Sequence, residues 1–245
     1  MSRDEEGNRV APREPIRGLV FDKDGTLFDF NATWAAWCDG FILGLAAGDG
    51  ARAAELAATL GFDLANRRFT RDSPMVAGTM EIVVEAACRL RPDMGEARLR
   101  QHIITTTSAA PQVEAAPLAA LLDRFRAAGL TLGVATNDSE APARAHLERA
   151  GVLDRFAFVA GYDSGHGAKP TPGMLLAFCR ATGIPPGACA MIGDSVHDLD
   201  SGRAAGMRVV GVLTGIASRE DLAPHADVVL PDIGALPAWL ALPAT

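Results

Sequence analysis

Long apolar runs, positive charge and cysteine are all scarce in this sequence of 245 residues, and each shortage argues against a class of protein. No apolar stretch approaches the roughly 20 residues that a membrane-spanning helix needs, so we expect no membrane partner. Lysine and arginine together number 23 against 30 acidic residues, and the net charge of −7 argues against a nucleic-acid partner. The 4 cysteines are dispersed without metal-ligand spacing, which favours reduced thiols in a cytoplasmic protein.

The composition is otherwise that of a globular protein with a sizeable core. Hydrophobic residues make up 49% of the chain and charged residues 22%. The polar N-terminal stretch MSRDEEGNRV does not resemble a signal peptide, and we expect it to be a loose tail. The chain is long enough for one large domain or two modest ones.

Short apolar runs alternate with helical patterns, mainly after residue 115. The apolar runs predict strands over Ile16–Phe21, Leu130–Thr136, Phe156–Ala160, Cys189–Ile192, Arg208–Val212 and Asp227–Leu230. The periodic stretches predict helices over Leu118–Ala128, Ala141–Ala150 and Pro172–Thr182. Alternating strands and helices imply parallel pairing with helices on both faces of the sheet. The sequence therefore predicts an α/β fold with a doubly wound parallel sheet.

Residues 30–111 break this alternation. Stretches rich in alanine and leucine predict helices over Trp34–Ala47, Arg52–Leu60, Met80–Leu90 and Glu96–Ser108, with no convincing strand among them. The simplest interpretation is an all-helical insert placed after the first strand. We therefore predict a catalytic core of residues 1–29 and 112–245 and an inserted cap of residues 30–111.

Polar side chains follow four of the predicted strands at the point where each strand ends. They are Asp22 and Asp24 after the first strand, Thr136 and Asn137 after the second, Lys169 in the loop after the third, and Asp194, Ser195 and Asp198 after the fourth. Ligands of an open parallel sheet bind at the carboxyl ends of its strands, so we expect one shared site. Two neighbouring carboxylates repel each other, and only a metal, a proton or a reaction makes the pair Asp22 and Asp24 useful.

Each group taken alone has a simpler interpretation. These are a turn at Asp24-Gly25, a helix cap at Thr136-Asn137-Asp138, a solvated loop lysine at Lys169 and the start of a helix at Asp194-Ser195. His166 and His197 are expected at the surface or behind the site. The combination of four strand ends favours a functional site over these separate interpretations.

The segments DKDGTL, ATND, GAKP and GDSVHD resemble, in order and spacing, the four motifs of the haloacid dehalogenase-like hydrolases. Within that superfamily the sequence resembles the phosphoglycolate phosphatase-like members, which implies a Rossmann-like core with an inserted helical cap. Lys23 is a departure, because the family usually has an apolar or aromatic residue at that position. We expect its side chain to point off the strand end and to affect local packing more than the mechanism.

The resemblance implies a role for each motif residue. Asp22 would be the nucleophile and Asp24 the general acid and base. The groups that would bind and neutralise the transferring phosphoryl are Thr136, Lys169 and the backbone amides around Gly25 and Asn137. Asp198 would orient Lys169 or the water shell of a metal, whereas Ser195 is either part of that shell or a helix cap.

The charge of the predicted site requires a cation. Two unit charges of like sign at 4 Å repel by about 4 kcal/mol in a protein-like dielectric, and a phosphate ester would meet four carboxylates against Lys169 alone. An all-oxygen site that also binds phosphate suits Mg²⁺. The expected ligands are Asp22, Asp194 and, by resemblance, the backbone carbonyl of Asp24.

These residues predict a magnesium-dependent phosphatase that acts on a small phosphate ester through an aspartyl-phosphate. A phosphomutase with the same core is the nearest alternative, and a non-catalytic regulator is a more distant one because binding alone needs no Asp24. A dehalogenase is less favoured, because Asp24 has no role in displacing a halogen from carbon. In the cap, the polar segment Arg67–Thr79 is either a connector or a source of substrate contacts, for which Arg68 and Arg71 are the candidates.

Overall fold

The computed structural model describes residues 14–70, 73–77 and 80–243. The strands within these residues are β1 (Gly18–Phe21), β2 (Phe62–Asp63), β3 (Arg68–Phe69), β4 (Thr131–Ala135), β5 (Phe158–Ala160), β6 (Cys189–Gly193), β7 (Arg208–Val212) and β8 (Val228–Leu230). The α-helices are α1 (Phe30–Ala46), α2 (Gly50–Leu60), α3 (Pro74–Ala77), α4 (Met80–Leu90), α5 (Glu96–Ala109), α6 (Leu118–Ala127), α7 (Glu140–Arg149), α8 (Gly173–Thr182), α9 (Val196–Ala205), α10 (Arg219–Leu222) and α11 (Leu236–Trp239).

The described residues form one main sheet of six parallel strands in the order β5-β4-β1-β6-β7-β8. Both faces are covered, because one apolar cluster packs β1 and β4 against α6 while another packs β6 against α8 and α9. Strands buried on both faces read as continuous apolar runs, which is the pattern that predicted them. The prediction of a doubly wound α/β fold is confirmed.

The boundaries of the predicted elements agree with the structure to within a few residues. The largest shift is at α1, which begins at Phe30 and not at Trp34 as predicted. Asp29 explains this, because its side chain accepts a hydrogen bond from the backbone N–H of Ala32 and caps the helix there. The aspartate is visible in the sequence, but the apolar periodicity that sets the predicted boundary begins later.

Residues 30–110 contain their own apolar cluster, built around Trp34, Ile42, Leu56 and Ile103. This insert is not all-helical as predicted, because β2 and β3 pair as an antiparallel hairpin. Its turn forms where the Asp63 side chain accepts hydrogen bonds from the next backbone N–H groups. Strands of two residues are too short to produce an alternating pattern, so no periodicity in the sequence marks them.

The two chain connections of the insert lie side by side. The N–H of Asp29 donates to the carbonyl of Val113 at 2.8 Å, and the N–H of Ala115 donates to the carbonyl of Leu27 at 3.0 Å. The insert therefore leaves and rejoins the sheet at one place, directly beyond the end of β1.

No helix among the described residues is long and apolar enough to cross a membrane. The four cysteines, all within the described part of the chain, are free thiols as predicted.

Candidate active site

The strand ends that carry the predicted motifs meet at one edge of the sheet. The N–H of Asp22 still bonds to the carbonyl of Ile192 in β6, and that of Thr136 to the carbonyl of Ala160 in β5. The polar residues therefore begin where the ladder between adjacent parallel strands ends. Because β1 lies between β4 and β6, Asp22 is central among them.

Lys169, Asp22 and Asp198 form an ion-pair group that we call the Lys169 cluster. The Lys169 ammonium lies 2.6 Å from one carboxylate oxygen of Asp22 and 2.6 Å from one of Asp198, and all three residues are buried. Burial by itself would lower the pKa of Lys169, but the carboxylates of Asp198 and Asp22 outweigh it and raise that pKa. The cluster therefore contains a permanently charged ammonium bonded to the central aspartate.

Asp22, Asp194 and Asp198 each place a carboxylate oxygen within 4.8 Å of the others. One buried oxygen of Asp194, Oδ2, has no hydrogen-bond partner among the described residues. Backbone closes in around that carboxylate, since a Cβ at Gly25 would lie 2.3 Å and one at Gly215 1.8 Å from Asp194 Oδ2. An all-oxygen donor set with an unpaired carboxylate oxygen in such a cradle fits a hard divalent cation.

The raised pKa values of these carboxylates indicate that the site contains more negative than positive charge. Burial, together with the neighbouring Asp198 and Asp24, raises the pKa of Asp22 to about 7 despite the opposing effect of Lys169. Burial and the charges of Asp198 and Asp22 raise the pKa of Asp194 well above its usual value. A bound cation would favour the ionised forms of both side chains.

Lys23, Asp24 and Asp138 form a second ion-pair group, the Lys23 cluster. The buried Lys23 ammonium lies 2.5 Å from Asp24 Oδ2 and 3.4 Å from Asp138 Oδ2. Lys23 is therefore buried and ion-paired with two carboxylates next to the site, and the expectation that it affects local packing more than the mechanism stays a prediction. The count of four carboxylates against one lysine was incomplete, although a second lysine and a fifth carboxylate leave the same excess of negative charge.

The Lys23 cluster is connected to the insert through two aromatic side chains. The Trp34 indole N–H of α1 donates to Asp24 Oδ1 at 2.8 Å. His146 of α7 places Nδ1 at 3.1 Å from the Lys23 ammonium and Nε2 at 2.9 Å from the carbonyl oxygen of Thr107 in α5. An ammonium only donates and a carbonyl only accepts, so Nδ1 is the acceptor and the proton is on Nε2. Burial, followed by the Lys23 charge, lowers the pKa of His146 to about 4 and keeps it neutral.

Three other predicted residues have contacts that refine their expected roles. The Asn137 side chain accepts from the backbone N–H of Lys169 at 2.9 Å and donates to its carbonyl at 3.1 Å, which fixes the Lys169 loop. The buried Thr136 hydroxyl accepts from the N–H of Asp138 at 3.1 Å. Ser195 and Asp198 form a reciprocal capping box at the start of α9, so the structure favours the helix-cap interpretation of Ser195.

The cap arginines differ in what surrounds them. Arg67 has a backbone φ of 49° and forms an ion pair with Asp39 at 3.0 Å. Arg68 is exposed on β3, where it pairs across the hairpin with Asp63. Arg71 lies outside the described residues.

Sequence reasoning missed Trp34, His146 and Gly215. Trp34 and His146 lie within stretches predicted as helices and belong to no motif, so nothing in the sequence marked them. Gly215 follows β7, a fifth strand end, and the same rule that selected the other four ends would have found it.

Comparisons with known proteins agree with this geometry. Residues 16–206 match the family model described as a haloacid dehalogenase-like hydrolase. The chain is 40% identical over 125 residues to a phosphoglycolate phosphatase of Rhodospirillum rubrum, an alignment that covers 51% of this chain and 52% of that protein. It is 30% identical over 224 residues to an N-acetylmuramic acid 6-phosphate phosphatase of Pseudomonas aeruginosa, covering 89% of this chain and 92% of that protein.

Among solved structures, a predicted phosphoglycolate phosphatase from Haemophilus somnus superposes with a TM-score of 0.70 at 18% identity. That match covers 91% of this chain and 97% of the other, and at this identity it supports the fold alone. The relatives support a phosphoric monoester hydrolase that acts on a small phosphorylated metabolite. Fold, motif geometry and family match agree, and the chain belongs to the haloacid dehalogenase-like hydrolases.

Proposed function

We propose that this protein is a magnesium-dependent phosphatase that hydrolyses a small phosphorylated metabolite through an aspartyl-phosphate on Asp22. The observation that carries the proposal is the position of Asp22, which is buried at the end of β1, is bonded to Lys169, and has a carboxylate oxygen within 4.8 Å of one of Asp194. This arrangement presents a fixed carboxylate beside both a cationic side chain and a set of oxygen donors suited to a metal.

The reaction divides into two displacements. In the first, a carboxylate oxygen of Asp22 bonds to phosphorus while the bond to the leaving alcohol breaks, and Asp24 gives the alcohol its proton. In the second, water attacks the phosphorus of the acyl phosphate, Asp24 takes the proton from that water, and Asp22 leaves as a carboxylate. Lys169, 2.6 Å from Asp22, neutralises charge that develops on the transferring group.

The proposed metal ligands are Asp22, Asp194 and the backbone carbonyl of Asp24. Mg²⁺ held by these ligands would supply positive charge to offset the excess of carboxylates and would help to orient the phosphate ester. Asp198 takes part through Lys169, since its two oxygens bond to that ammonium and to Ser195.

We also propose the division into a core of residues 1–29 and 112–245 and a cap of residues 30–111. The separate apolar cluster of the insert and the paired connections beside Asp29 and Val113 support it. The core residues at the strand ends handle only the phosphoryl group, so the cap supplies contacts to the remainder of the substrate. Arg68 and Arg71 remain our candidates for those contacts with an acidic substrate.

Phosphate release from a panel of phosphorylated metabolites, with and without Mg²⁺, tests the proposal. The panel includes phosphoglycolate and N-acetylmuramic acid 6-phosphate, which name the activities of the two relatives. We expect release that requires Mg²⁺ and is absent in Asp22→Asn. Conversion of a sugar phosphate to its isomer without phosphate release would instead identify a phosphomutase, and binding without either product would identify a regulator.

A further inference from the structure

Both carboxylate oxygens of Asp24 are held by side chains that the proposed reaction does not use. Lys23 Nζ lies 2.5 Å from Oδ2, and the Trp34 indole N–H donates to Oδ1 at 2.8 Å. The Asp24 side chain is nevertheless 17% exposed, so it remains accessible to a ligand. The orientation of this carboxylate is therefore set by two residues of different parts of the chain.

Lys23 cannot itself contact a substrate in this arrangement. Its side chain is fully buried, and its ammonium has Asp24, Asp138 and His146 as partners, which matches the three hydrogens that an ammonium can donate. The ammonium also lies 5.4 Å from the centre of the Trp34 ring, a distance at which cation–π attraction acts. Any effect of Lys23 on the reaction must act through its neighbours.

Those neighbours connect Asp24 to two helices of the insert. Trp34 belongs to α1 and bonds to Asp24 directly. His146 connects Lys23 to the carbonyl of Thr107 in α5. A change in the position of either helix would therefore reach Asp24 through a continuous set of buried contacts.

We propose that Lys23 and Trp34 are positioning residues that fix the Asp24 carboxylate for proton transfer and make its orientation depend on the seating of α1 and α5. The inference rests on the proposed phosphatase reaction, in which Asp24 protonates the leaving group. Both residues bond to the side chain of Asp24, not to its backbone carbonyl, and neither forms a hydrogen bond or ion pair with Asp22 or Asp194 among the described residues. Their loss consequently affects the step that needs a proton and spares substrate binding.

Leaving-group chemistry gives the readout. An alkyl alkoxide needs a proton as it departs, whereas a nitrophenolate departs without one. Trp34→Phe keeps the ring over Lys23 and removes only the N–H. In single-turnover measurements of leaving-group release, we expect the rate to fall about tenfold on an alkyl phosphate and less than about twofold on nitrophenyl phosphate, with KM unchanged on both.

Trp37→Phe is the matched control, since it makes the same change one turn further along α1. The Trp37 indole N–H is buried and has no hydrogen-bond partner among the described residues, so both substrates should be turned over normally. Equal behaviour of the two variants, or an equal loss on both substrates in Trp34→Phe, would overturn the proposal.

Lys23 is tested with its charge balance preserved. The double variant Lys23→Met/Asp138→Asn removes one cation and one anion together, so it leaves no added excess of buried charge. We expect a folded protein with the same selective loss on the alkyl phosphate. A double variant that fails to fold would assign Lys23 a structural role and contradict the positioning role.

The phosphatase proposal has its own control in the same assay. If the wild-type protein releases no phosphate from either substrate, the phosphatase proposal is refuted, and the positioning inference that rests on it is refuted as well. If the wild type is active and Asp22→Asn is inactive, the phosphatase proposal stands. If the Trp34→Phe and Trp37→Phe variants are then indistinguishable, only the positioning inference is refuted.

Discussion

Each of the two lysine clusters contains one member of the pair Asp22 and Asp24, and the two clusters are built differently. The Lys169 cluster is assembled entirely from residues that follow β1, β5 and β6, with the capping box of α9 holding Asp198. The Lys23 cluster consists of residues that follow β1 and β4, and it is bonded to a tryptophan of α1 and to a histidine that is itself bonded to α5. Both clusters are ammonium–carboxylate ion pairs. The Lys169 cluster consists of core residues, whereas the Lys23 cluster is also connected to the insert.

This difference predicts different functional losses. Disrupting the Lys169 cluster should remove the covalent step for every substrate, which is the largest expected effect. Disrupting the Lys23 cluster should instead produce smaller losses that depend on the leaving group or on pH.

Asp22→Asn tests the Lys169 cluster. The amide has the shape of the carboxylate but cannot form the acyl phosphate, so turnover should fall more than about a thousandfold. Phosphate release and circular dichroism measure activity and folding in the same preparation. Asp154→Asn, an exposed aspartate paired with Arg155, is the matched control and should behave as wild type. Near-normal turnover by folded Asp22→Asn would remove Asp22 from the mechanism.

Asp24→Asn tests the member of the Lys23 cluster that transfers protons in the proposed reaction. Loss of general acid and base catalysis should reduce turnover of an alkyl phosphate by about a hundredfold to ten-thousandfold. The first step on nitrophenyl phosphate should be less affected, because that leaving group needs no proton. Single-turnover measurements separate this step from the attack of water. Equal first-step losses on both substrates would contradict the acid role.

Metal binding tests the proposed cation site of Asp194, next to the Lys169 cluster, without relying on activity. Mg²⁺ at about 100 times its dissociation constant should stabilise the native protein by about 2.7 kcal/mol, seen as a higher Tm in a thermal melt. Asp194→Asn should lose most of this increase because it removes the charge of one ligand. In the activity assay, EDTA should stop turnover and added Mg²⁺ restore it. A Tm that is indifferent to Mg²⁺ in the wild type would count against the proposed site.

The neutral His146 should make stability depend on pH. Its pKa is about 4 in the native protein and 6.5 when unperturbed, so between these values the unfolded chain binds the extra proton. The free energy of unfolding should therefore fall as pH decreases from 6.5 toward 4, by up to about 1.4 kcal/mol per pH unit from this group. Above pH 6.5 the contribution should be constant.

His146→Gln removes this titration, so its unfolding free energy should depend less on pH across the same window. Urea unfolding at about pH 6.5 and about pH 4.5 measures the difference, and His102→Gln, at an exposed position of α5, is the matched control. Parallel pH dependence in the wild type and His146→Gln would show that the histidine is not held neutral.

The smallest expected effect concerns the cap. If Arg68 contacts an acidic substrate, Arg68→Ala should raise KM for that substrate about tenfold, near the lower end of the roughly 1.5–3 kcal/mol that a charged hydrogen bond contributes. Turnover of nitrophenyl phosphate should be unchanged. Arg89→Ala removes another exposed cap arginine, one paired with Glu85, and serves as the control. Identical substrate preference in both variants would leave Arg68 without a recognition role.

Much of the core could be predicted from the sequence because its signals are local. Buried parallel strands read as short apolar runs, and their carboxyl ends must share an edge of the sheet, so the pattern alone is enough to bring Asp22, Thr136, Lys169 and Asp194 together. The helix beginning at Phe30 and the hairpin of β2 and β3 were placed less well. Asp29 sets the start of the helix by capping it, and Asp63 forms the turn of the hairpin. Neither effect is visible in the apolar periodicity of the sequence.

The sequence by itself determined the order of the elements, the family and the edge of the sheet where chemistry occurs, since all of these follow from residues close to one another in the chain. Only the tertiary structure decided what Lys23 does. Its partners Trp34, Asp138 and His146 come from a helix of the insert, the end of β4 and α7. Whether a lysine at a strand end turns toward solvent or inward depends on whether such distant residues supply buried acceptors for its ammonium.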